Sequence, residues 1–170
     1  TGLAQKGGAV ISDIKITHVP FQGSNKISDG RADLYLGFDI LNATDPKNLD
    51  KCGANRTIAV VSTTQTPTGQ MVSKRTNQFP AINGLTAGID RVTRKEDNVF
   101  LDGQALAEGL FGDAMATNNF MVGVAFQAGT IPLKAESIEQ AIRNSGVAVD
   151  MSLAAFRWGR MVVVDRAFVE

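Results

Sequence analysis

A lysine followed by two glycines, Lys6-Gly7-Gly8, is the first place in the sequence where residue types and spacing suggest chemistry. Glycine lets backbone N–H groups approach a phosphate closely, and the lysine ammonium would add positive charge. A P-loop, however, needs the pattern Gly-x-x-x-x-Gly-Lys-Ser/Thr between a strand and a helix, and the dinucleotide fingerprint GxGxxG is absent from the sequence. Because these glycines precede a strand-like stretch, the local pattern favours a tight turn over a phosphate-binding loop.

The single cysteine and the single histidine of the 170 residues both favour a structural interpretation. Cys52 excludes an intrachain disulfide and any zinc or iron–sulfur site built from several cysteines, so we interpret it as a spectator thiol near a helix end. His18 follows a strand-like stretch, and a catalytic triad would also need a nucleophile and a carboxylate, whose proximity the sequence does not show. We therefore predict no catalytic residue and no metal site in this chain.

Two pairs of polar residues lie in otherwise apolar segments: Asn118 with Asn119, and Arg157 with Arg160. A buried amide needs a hydrogen-bond partner, so at least one asparagine is expected to bond to the backbone, with a ligand contact as the alternative. The run Arg-Trp-Gly-Arg at 157–160 is expected to end a helix, where cations favour the negative pole and glycine ends the last turn. The alternative for the arginines is contact with an anion or a partner.

Strands and helices alternate along most of the chain. The predicted strands are 9–17, 32–38, 57–63, 98–101 and 161–164. The predicted helices are 39–49 with a new start at Asp45-Pro46, 82–95, 104–110, 114–128, 135–144 and 147–160. In the first strand, Val10, Ile14 and Ile16 share one face. This order predicts a single α/β domain over residues 1–170, with three α/β/α layers and a mostly parallel or mixed sheet.

Composition and charge exclude several classes of protein. Apolar residues make up 44% of the chain and charged residues 20%, which is typical of a globular domain. Lys+Arg and Asp+Glu both number 17, and this balance argues against a nucleic-acid binder. A net charge near zero favours association with a partner, and a homodimer is one alternative. With no apolar run of about 20 residues and no signal-peptide pattern, we expect a cytoplasmic protein without membrane contact.

Several motifs in order resemble one known family. They are GLAQKGGAV at 2–10, NFMVGVA at 119–125, GTIPL at 129–133, ESIEQAI at 136–142 and VAVDMSLAAFRWGR at 147–160. Together they resemble the gamma domain of 2-oxoacid:ferredoxin oxidoreductases, which include pyruvate and indolepyruvate ferredoxin oxidoreductases. The segments LAQKGG and AFRWGR are most similar to those of the long fused indolepyruvate type. The resemblance covers nearly the whole chain.

The sequence departs from the family pattern in two respects. Family gamma domains begin with a strand and a Gly-x-Gly-Gly-x-Gly loop, and this sequence begins after that region, so we expect a fragment of a larger enzyme that lacks the N-terminal part. Ser152 also stands where many relatives carry asparagine. Any role of that amide is therefore not carried over to this chain.

The resemblance implies a redox enzyme that needs more than this chain. The parent enzyme would oxidatively decarboxylate a 2-oxoacid such as an aryl pyruvate to acyl-CoA and pass electrons to ferredoxin. It would use thiamine diphosphate, magnesium, iron–sulfur clusters and coenzyme A. This chain alone would bind none of them, because a cluster needs four thiolates and a thiamine motif of the Gly-Asp-Gly…Asn kind is missing.

The resemblance also implies where this domain would act. It would pack against thiamine-binding and ferredoxin-type domains or subunits of the same enzyme. Its opening loop, Gln5, Lys6, Gly7 and Gly8, would contact substrate or cofactor, with Lys6 paired to a carboxylate or phosphate and Gln5 donating a hydrogen bond. Two other functions stay open: a purely assembling domain, and an independent α/β domain that binds a nucleotide or coenzyme A.

Overall fold

The computed structural model describes residues 10–20, 22–67 and 78–170. The strands of this part are β1 (Leu34–Gly37), β2 (Ile58–Ser62) and β3 (Val99–Leu101). Its helices are α1 (Ile40–Ala43), α2 (Pro46–Leu49), α3 (Ile82–Asp90), α4 (Gly103–Phe111), α5 (Thr117–Gln127), α6 (Ala135–Ser145), α7 (Val149–Val164) and α8 (Arg166–Val169). Short 3-10 turns occupy Lys95–Asp97 and Ala114–Ala116.

The three strands form a parallel sheet in the order β1-β2-β3. Leu34 pairs with Ile58 and Val60 pairs with Val99. Parallel neighbours need a crossover connection, and helices α1 and α2 supply the first one. The predicted restart at Asp45-Pro46 is confirmed, because the Asp45 carboxylate accepts a hydrogen bond from the Lys47 N–H at 3.0 Å and so caps α2.

Helices cover both faces of the sheet, which confirms the predicted three-layer α/β fold. Alternate strand residues point to opposite faces. On one face, Val60 and Leu101 belong to a core that α4, α5 and α7 complete. On the other, Ala59 and Val61 pack with α1 and α3, where Ile89 is fully buried. The sheet is therefore the middle layer.

Helices α5 and α7 cross in very close contact at two glycines. A Cβ added to Gly123 would overlap the carbonyl oxygen of Phe156, and one added to Gly159 would overlap the carbonyl oxygen of Phe120. The two helices thus touch backbone to backbone at two reciprocal points, and only glycine permits this approach.

Helix α7 corrects two predictions. It continues to Val164, so the predicted strand at 161–164 is wrong, and the run 157–160 does not end a helix. Ala155, Gly159 and Val162 recur at helical spacing and are all buried. Gly159 therefore serves the crossing rather than a turn, and packing overrides the strand preference of the terminal valines.

The predicted first strand is also wrong within the described residues. We call residues 10–19 the arm; they make no strand pairing in the described chain. The Ile27 N–H donates to the Asp13 carboxylate at 3.2 Å, and the Lys15 ammonium donates to the Ser24 carbonyl at 2.6 Å. These bonds hold the arm beside residues 22–27 through side chains, without a backbone ladder.

Candidate functional site

The carboxyl edge of the sheet is the first place to look for a site, because open α/β sheets bind ligands beyond the carboxyl ends of their strands. Ser62 ends β2 and Asp102 follows β3, with Thr64 between them. The Ser62 and Thr64 hydroxyl oxygens lie 2.8 Å apart, and Thr64 donates to the Asp102 carboxylate at 2.6 Å. A short polar chain therefore joins the ends of two neighbouring strands.

The side chains of this polar chain occupy the backbone N–H groups at the start of α4, which a phosphate would otherwise bind. The N–H groups of Gly103, Gln104 and Ala105 donate to Ser62, Thr64 and Asp102 respectively, at 3.1, 3.3 and 3.0 Å. A phosphate would have to displace these acceptors and meet a carboxylate of its own sign.

The junction between β1 and α1 has the same chemistry. The Asp39 carboxylate accepts hydrogen bonds from the Leu41 and Asn42 N–H groups at 2.8 and 3.1 Å. Both described junctions where a strand leads directly into a helix are thus capped by aspartate. This arrangement disfavours the nucleotide-binding alternative at these two places.

A cleft of about 430 Å³ lies between α6 and the starts of α5 and α7. Its walls are mostly apolar, with three polar residues among them; the lining is Met115, Asn119, Ile138, Ala141, Ile142, Ser145, Val147, Ala148, Met151 and Ser152. The lining contains no ionisable side chain. The cleft can therefore bury an apolar group and offer hydrogen bonds, but its lining cannot supply a general acid or base.

The two asparagines are placed differently from each other. Asn118 is exposed, so the expectation of a buried amide is wrong for this residue. The buried side of α5 is formed instead by Phe120, Met121 and Val124. Asn119 is half-buried and lines the cleft together with Ser152, a juxtaposition that the sequence did not predict. The only signal for it was that both residues fall within family-like motifs.

Arg157 is paired inside the chain. Its guanidinium donates two hydrogen bonds to the Glu139 carboxylate, at 2.9 and 2.8 Å, and Arg143 adds a third at 3.1 Å. The hydrogen bonds from Arg157, and then those from Arg143, lower the pKa of Glu139 to about 2. Glu139 thus joins α6 to α7, and the structural interpretation of Arg157 is favoured over an anion contact.

Arg160 is also engaged within the chain. Its Nε donates to the Gln127 amide oxygen at 3.2 Å. Its guanidinium carbon lies 5.1 Å from the ring centroid of Phe126 and 5.8 Å from that of Phe156, within cation–π range. Arg160 therefore braces the crossing of α5 and α7, although the helix end proposed for it from sequence is absent.

The single cysteine does not fit an iron–sulfur cluster. Cys52 is buried, and burial raises the pKa of its thiol to about 11, against a smaller lowering by a hydrogen bond from Thr57. It stays a protonated thiol at neutral pH, whereas cluster ligands are thiolates and four are needed. Residues 10–20, 22–67 and 78–170 contain no group of three His, Cys, Asp or Glu side chains placed to hold a metal ion.

Gln5, Lys6, Gly7 and Gly8 lie outside the described residues, so their contacts stay a prediction. His18, in contrast, is described and exposed on the arm. Among the helices that the structure describes, none is both long and apolar enough to cross a bilayer.

Comparison with known proteins defines the class of this chain. The family model for pyruvate ferredoxin/flavodoxin oxidoreductase matches residues 1–162, and the chain belongs to this family. The resemblance inferred from the motifs is therefore confirmed. The chain is a domain of an oxidoreductase of the 2-oxoacid:ferredoxin type, as part of the full enzyme.

Two curated relatives cover most of the chain. It is 28% identical over 160 residues to indolepyruvate oxidoreductase subunit IorB of Methanothermobacter thermautotrophicus, spanning 93% of this chain and 76% of the relative. It is 26% identical over 160 residues to indolepyruvate oxidoreductase subunit IorB of Archaeoglobus fulgidus, spanning 93% and 75%. No solved structure matches the chain.

Proposed function

We propose that this chain is one gamma-type domain, residues 1–170, of a cytoplasmic enzyme that oxidatively decarboxylates indolepyruvate or a similar aryl pyruvate. The enzyme would use thiamine diphosphate with magnesium, pass electrons through iron–sulfur clusters to ferredoxin, and transfer the acyl group to coenzyme A. The observation that carries the proposal is the family match over residues 1–162, together with the similarity to two subunits named for indolepyruvate.

The cofactors are assigned to partner domains or subunits, because this chain's residues do not suit them. Cys52 is a single, buried and protonated thiol. The hydroxyl and carboxylate groups of Ser62, Thr64 and Asp102 form one network, and it accepts the hydrogen bonds that cap the start of α4. The work left for this chain is to pack against the cofactor domains and to shape the path of the substrate or coenzyme A.

The opening loop is the part of the chain proposed to reach the ligand. A lysine ammonium suits a 2-oxoacid carboxylate or a coenzyme A phosphate, and two glycines let the backbone come close to it. Gln5 would add one neutral hydrogen bond. The loop would thus position a ligand whose chemistry is performed by thiamine diphosphate, which supplies carbanion stabilisation when bound.

Replacing Lys6 by alanine in the complete enzyme tests this role. Loss of one charge-assisted hydrogen bond should raise the Michaelis constant for the oxoacid or for coenzyme A by about tenfold, with a smaller change in kcat. Steady-state kinetics with each substrate varied in turn make the measurement. Lys47→Ala is the matched control, since Lys47 is an exposed lysine on α2. Wild-type Michaelis constants for both substrates in Lys6→Ala would exclude the loop from the ligand site.

A purely assembling role is the second candidate, and the exposed arm favours it. Val10 and Ile14 are 93% and 74% exposed, which is costly for a domain that works alone. The Lys6→Ala kinetics separate the two candidates, because an assembling domain would leave both Michaelis constants unchanged once the complex has formed.

A further inference from the structure

The cleft between α6 and the starts of α5 and α7 combines buried and exposed apolar surface. Two of its lining residues, Ile142 and Ser152, are buried, whereas Met115 and Val147 are 69% and 65% exposed. Its volume of about 430 Å³ falls in the range of small-molecule sites. A molecule bound there would cover the exposed apolar side chains, and removing them from water is favourable.

The side-chain amide of Asn119 is the polar group that this cleft leaves available. It is half-buried and forms no hydrogen bond with another of the described residues. The two serines of the lining use their hydroxyl protons within the chain. Ser145 donates to the Ile142 carbonyl oxygen at 2.7 Å, and Ser152 donates to the Val147 carbonyl oxygen at 3.5 Å. Because an amide can both donate and accept, Asn119 suits a ligand with one polar group.

The cleft lining carries no charged side chain. Arg143 is a neighbour of the lining in sequence, but it donates to Glu139 at 3.1 Å, and Asp150 is exposed to water. An ionised group in the cleft would therefore lose hydration without gaining an opposite charge from the lining. The sulfur atoms of Met115 and Met151 favour contact with aromatic rings. The lining thus favours an uncharged aromatic ring.

The wall at the start of α7 is fixed before any ligand binds. Ala148, with φ 42°, is the one non-glycine residue with a positive φ in the part of the chain that the structure describes. Its carbonyl oxygen accepts the Ser152 N–H at 2.9 Å. Such backbone strain persists only where the surrounding structure fixes it, and it clusters at ligand sites. A fixed wall also loses little entropy when a ligand binds.

We propose that this cleft binds the uncharged two-ring aromatic group of a small molecule. The Asn119 amide is its hydrogen-bond partner, and Met115 and Met151 lie against the ring. One free amide matches a ring with one polar group, whereas a nucleobase would place several polar edge atoms against apolar walls. Binding is a property of this chain, so it does not depend on the reaction proposed for the full enzyme.

Indole tests the site, because it is uncharged, has two rings and carries one N–H group. It is titrated into the full chain, and the methionine methyl groups are followed by NMR. Binding with a dissociation constant of about 1 mM or tighter should shift the methyl signals of Met115 and Met151. Met161 is the matched control, since it is 42% exposed on α7 and lies about 15 Å along the helix from Met151. Equal shifts at all three methyl groups, or no shift up to about 10 mM indole, would overturn the proposal.

Asn119→Ala separates the hydrogen bond from simple apolar contact. Indole is compared with 1-methylindole, which lacks the N–H group. The variant should bind indole about three- to tenfold more weakly and 1-methylindole almost as the wild type does. An equal loss for both ligands would overturn the proposal, because the amide would then only shape the cleft.

Asn118→Ala is the matched control for this variant. Asn118 is the exposed neighbour on α5 and does not belong to the cleft lining, so its loss should leave both affinities unchanged. Equal indole affinities of the two asparagine variants would contradict the assigned contact.

Adenine tests the class of ring. With several polar edge atoms and the same size, it should bind at least about fivefold more weakly than indole. Tighter binding of adenine than of indole would assign the cleft to a nucleobase and would overturn the proposal.

Discussion

The crossing of α5 with α7 and the arm are both rich in large apolar residues, yet these side chains are buried at the crossing and exposed on the arm. At the crossing, Phe120 and Phe156 are fully buried, and two glycines bring the helix backbones into contact. On the arm, Val10 and Ile14 are largely exposed. One region is closed within the molecule, and the other is left open.

The difference shows that apolar composition does not by itself decide where apolar surface is buried. Burial stabilises by about 25 cal/mol per Å² wherever the surface is covered. At the crossing this free energy stabilises the domain itself. On the arm, the side chains of Val10 and Ile14 stay exposed and gain little of this free energy. Variants at the crossing should therefore change the stability of the domain strongly, whereas variants at exposed positions of the arm should change it little.

The largest loss of stability is expected when a side chain is added at Gly159. Gly159→Ala would overlap the Phe120 carbonyl oxygen and place a methyl group 2.8 Å from its carbonyl carbon. Because the obstacle is backbone and not a flexible side chain, the helices must separate, at a cost of about 3 kcal/mol or more. Urea unfolding of the purified chain measures this loss.

Gly109→Ala is the control for that variant. Gly109 lies in α4, and a Cβ built there meets no heavy atom within 4 Å. Alanine should stabilise this helix by about 0.5–1 kcal/mol. A loss in Gly159→Ala no greater than about 1 kcal/mol would mean that the crossing is not in tight contact. The arm variant Ile14→Asp should stay within about 0.5 kcal/mol of wild type, as an exposed substitution does.

A smaller gain is expected at the start of α7, next to the cleft. Ala148 has φ 42° and ψ 47°, the left-handed region, which costs a residue with a side chain about 1–2 kcal/mol. Ala148→Gly removes this strain but adds freedom to the unfolded chain, so a net stabilisation of about 0.5 kcal/mol is expected. Ala154→Gly, inside the same helix, should instead destabilise by about 1 kcal/mol. Thermal unfolding compares them, and equal losses would contradict the assigned strain.

The smallest effect concerns the ion pair that ties α6 to α7. The folded-state pKa of Glu139 is about 2, below its ordinary 4.5, because Arg157 and Arg143 hold the carboxylate. Its stabilising contribution is therefore complete above about pH 4.5 and is lost as pH falls towards 2. The difference in unfolding free energy between wild type and Glu139→Gln should shrink across this window.

Glu136→Gln, an exposed carboxylate on the same helix, is the control for the pH series. High salt should also reduce the Glu139 effect, since its partners are exposed. A Glu139→Gln deficit that is constant over the whole pH range would show that the ion pair does not contribute through ionisation.

Local patterns were sufficient for most of the fold. The buried run at 57–63 predicted β2, and the Asp45-Pro46 pair predicted the start of α2, because period, capping and turn chemistry act within a few residues. The ordered motifs predicted the family for a similar reason, since they are read directly from the chain. The prediction that the chain has no self-sufficient reactive set rests on its single cysteine and single histidine, and it stays a prediction.

Only the tertiary structure decided the rest. The sequence could not show that residues 10–17 would form no strand within the described chain, or that α7 would run on through Gly159. Nor could it show that Asn119 would lie near Ser152, or that Arg157 would pair with Glu139. Each of these depends on a surface supplied by residues far away in the chain, and a strand or a glycine has no fixed role until that surface is present. The alternation of apolar residues and their helical spacing can be read from the sequence alone. Which distant segment each element packs against was decided only by packing in three dimensions.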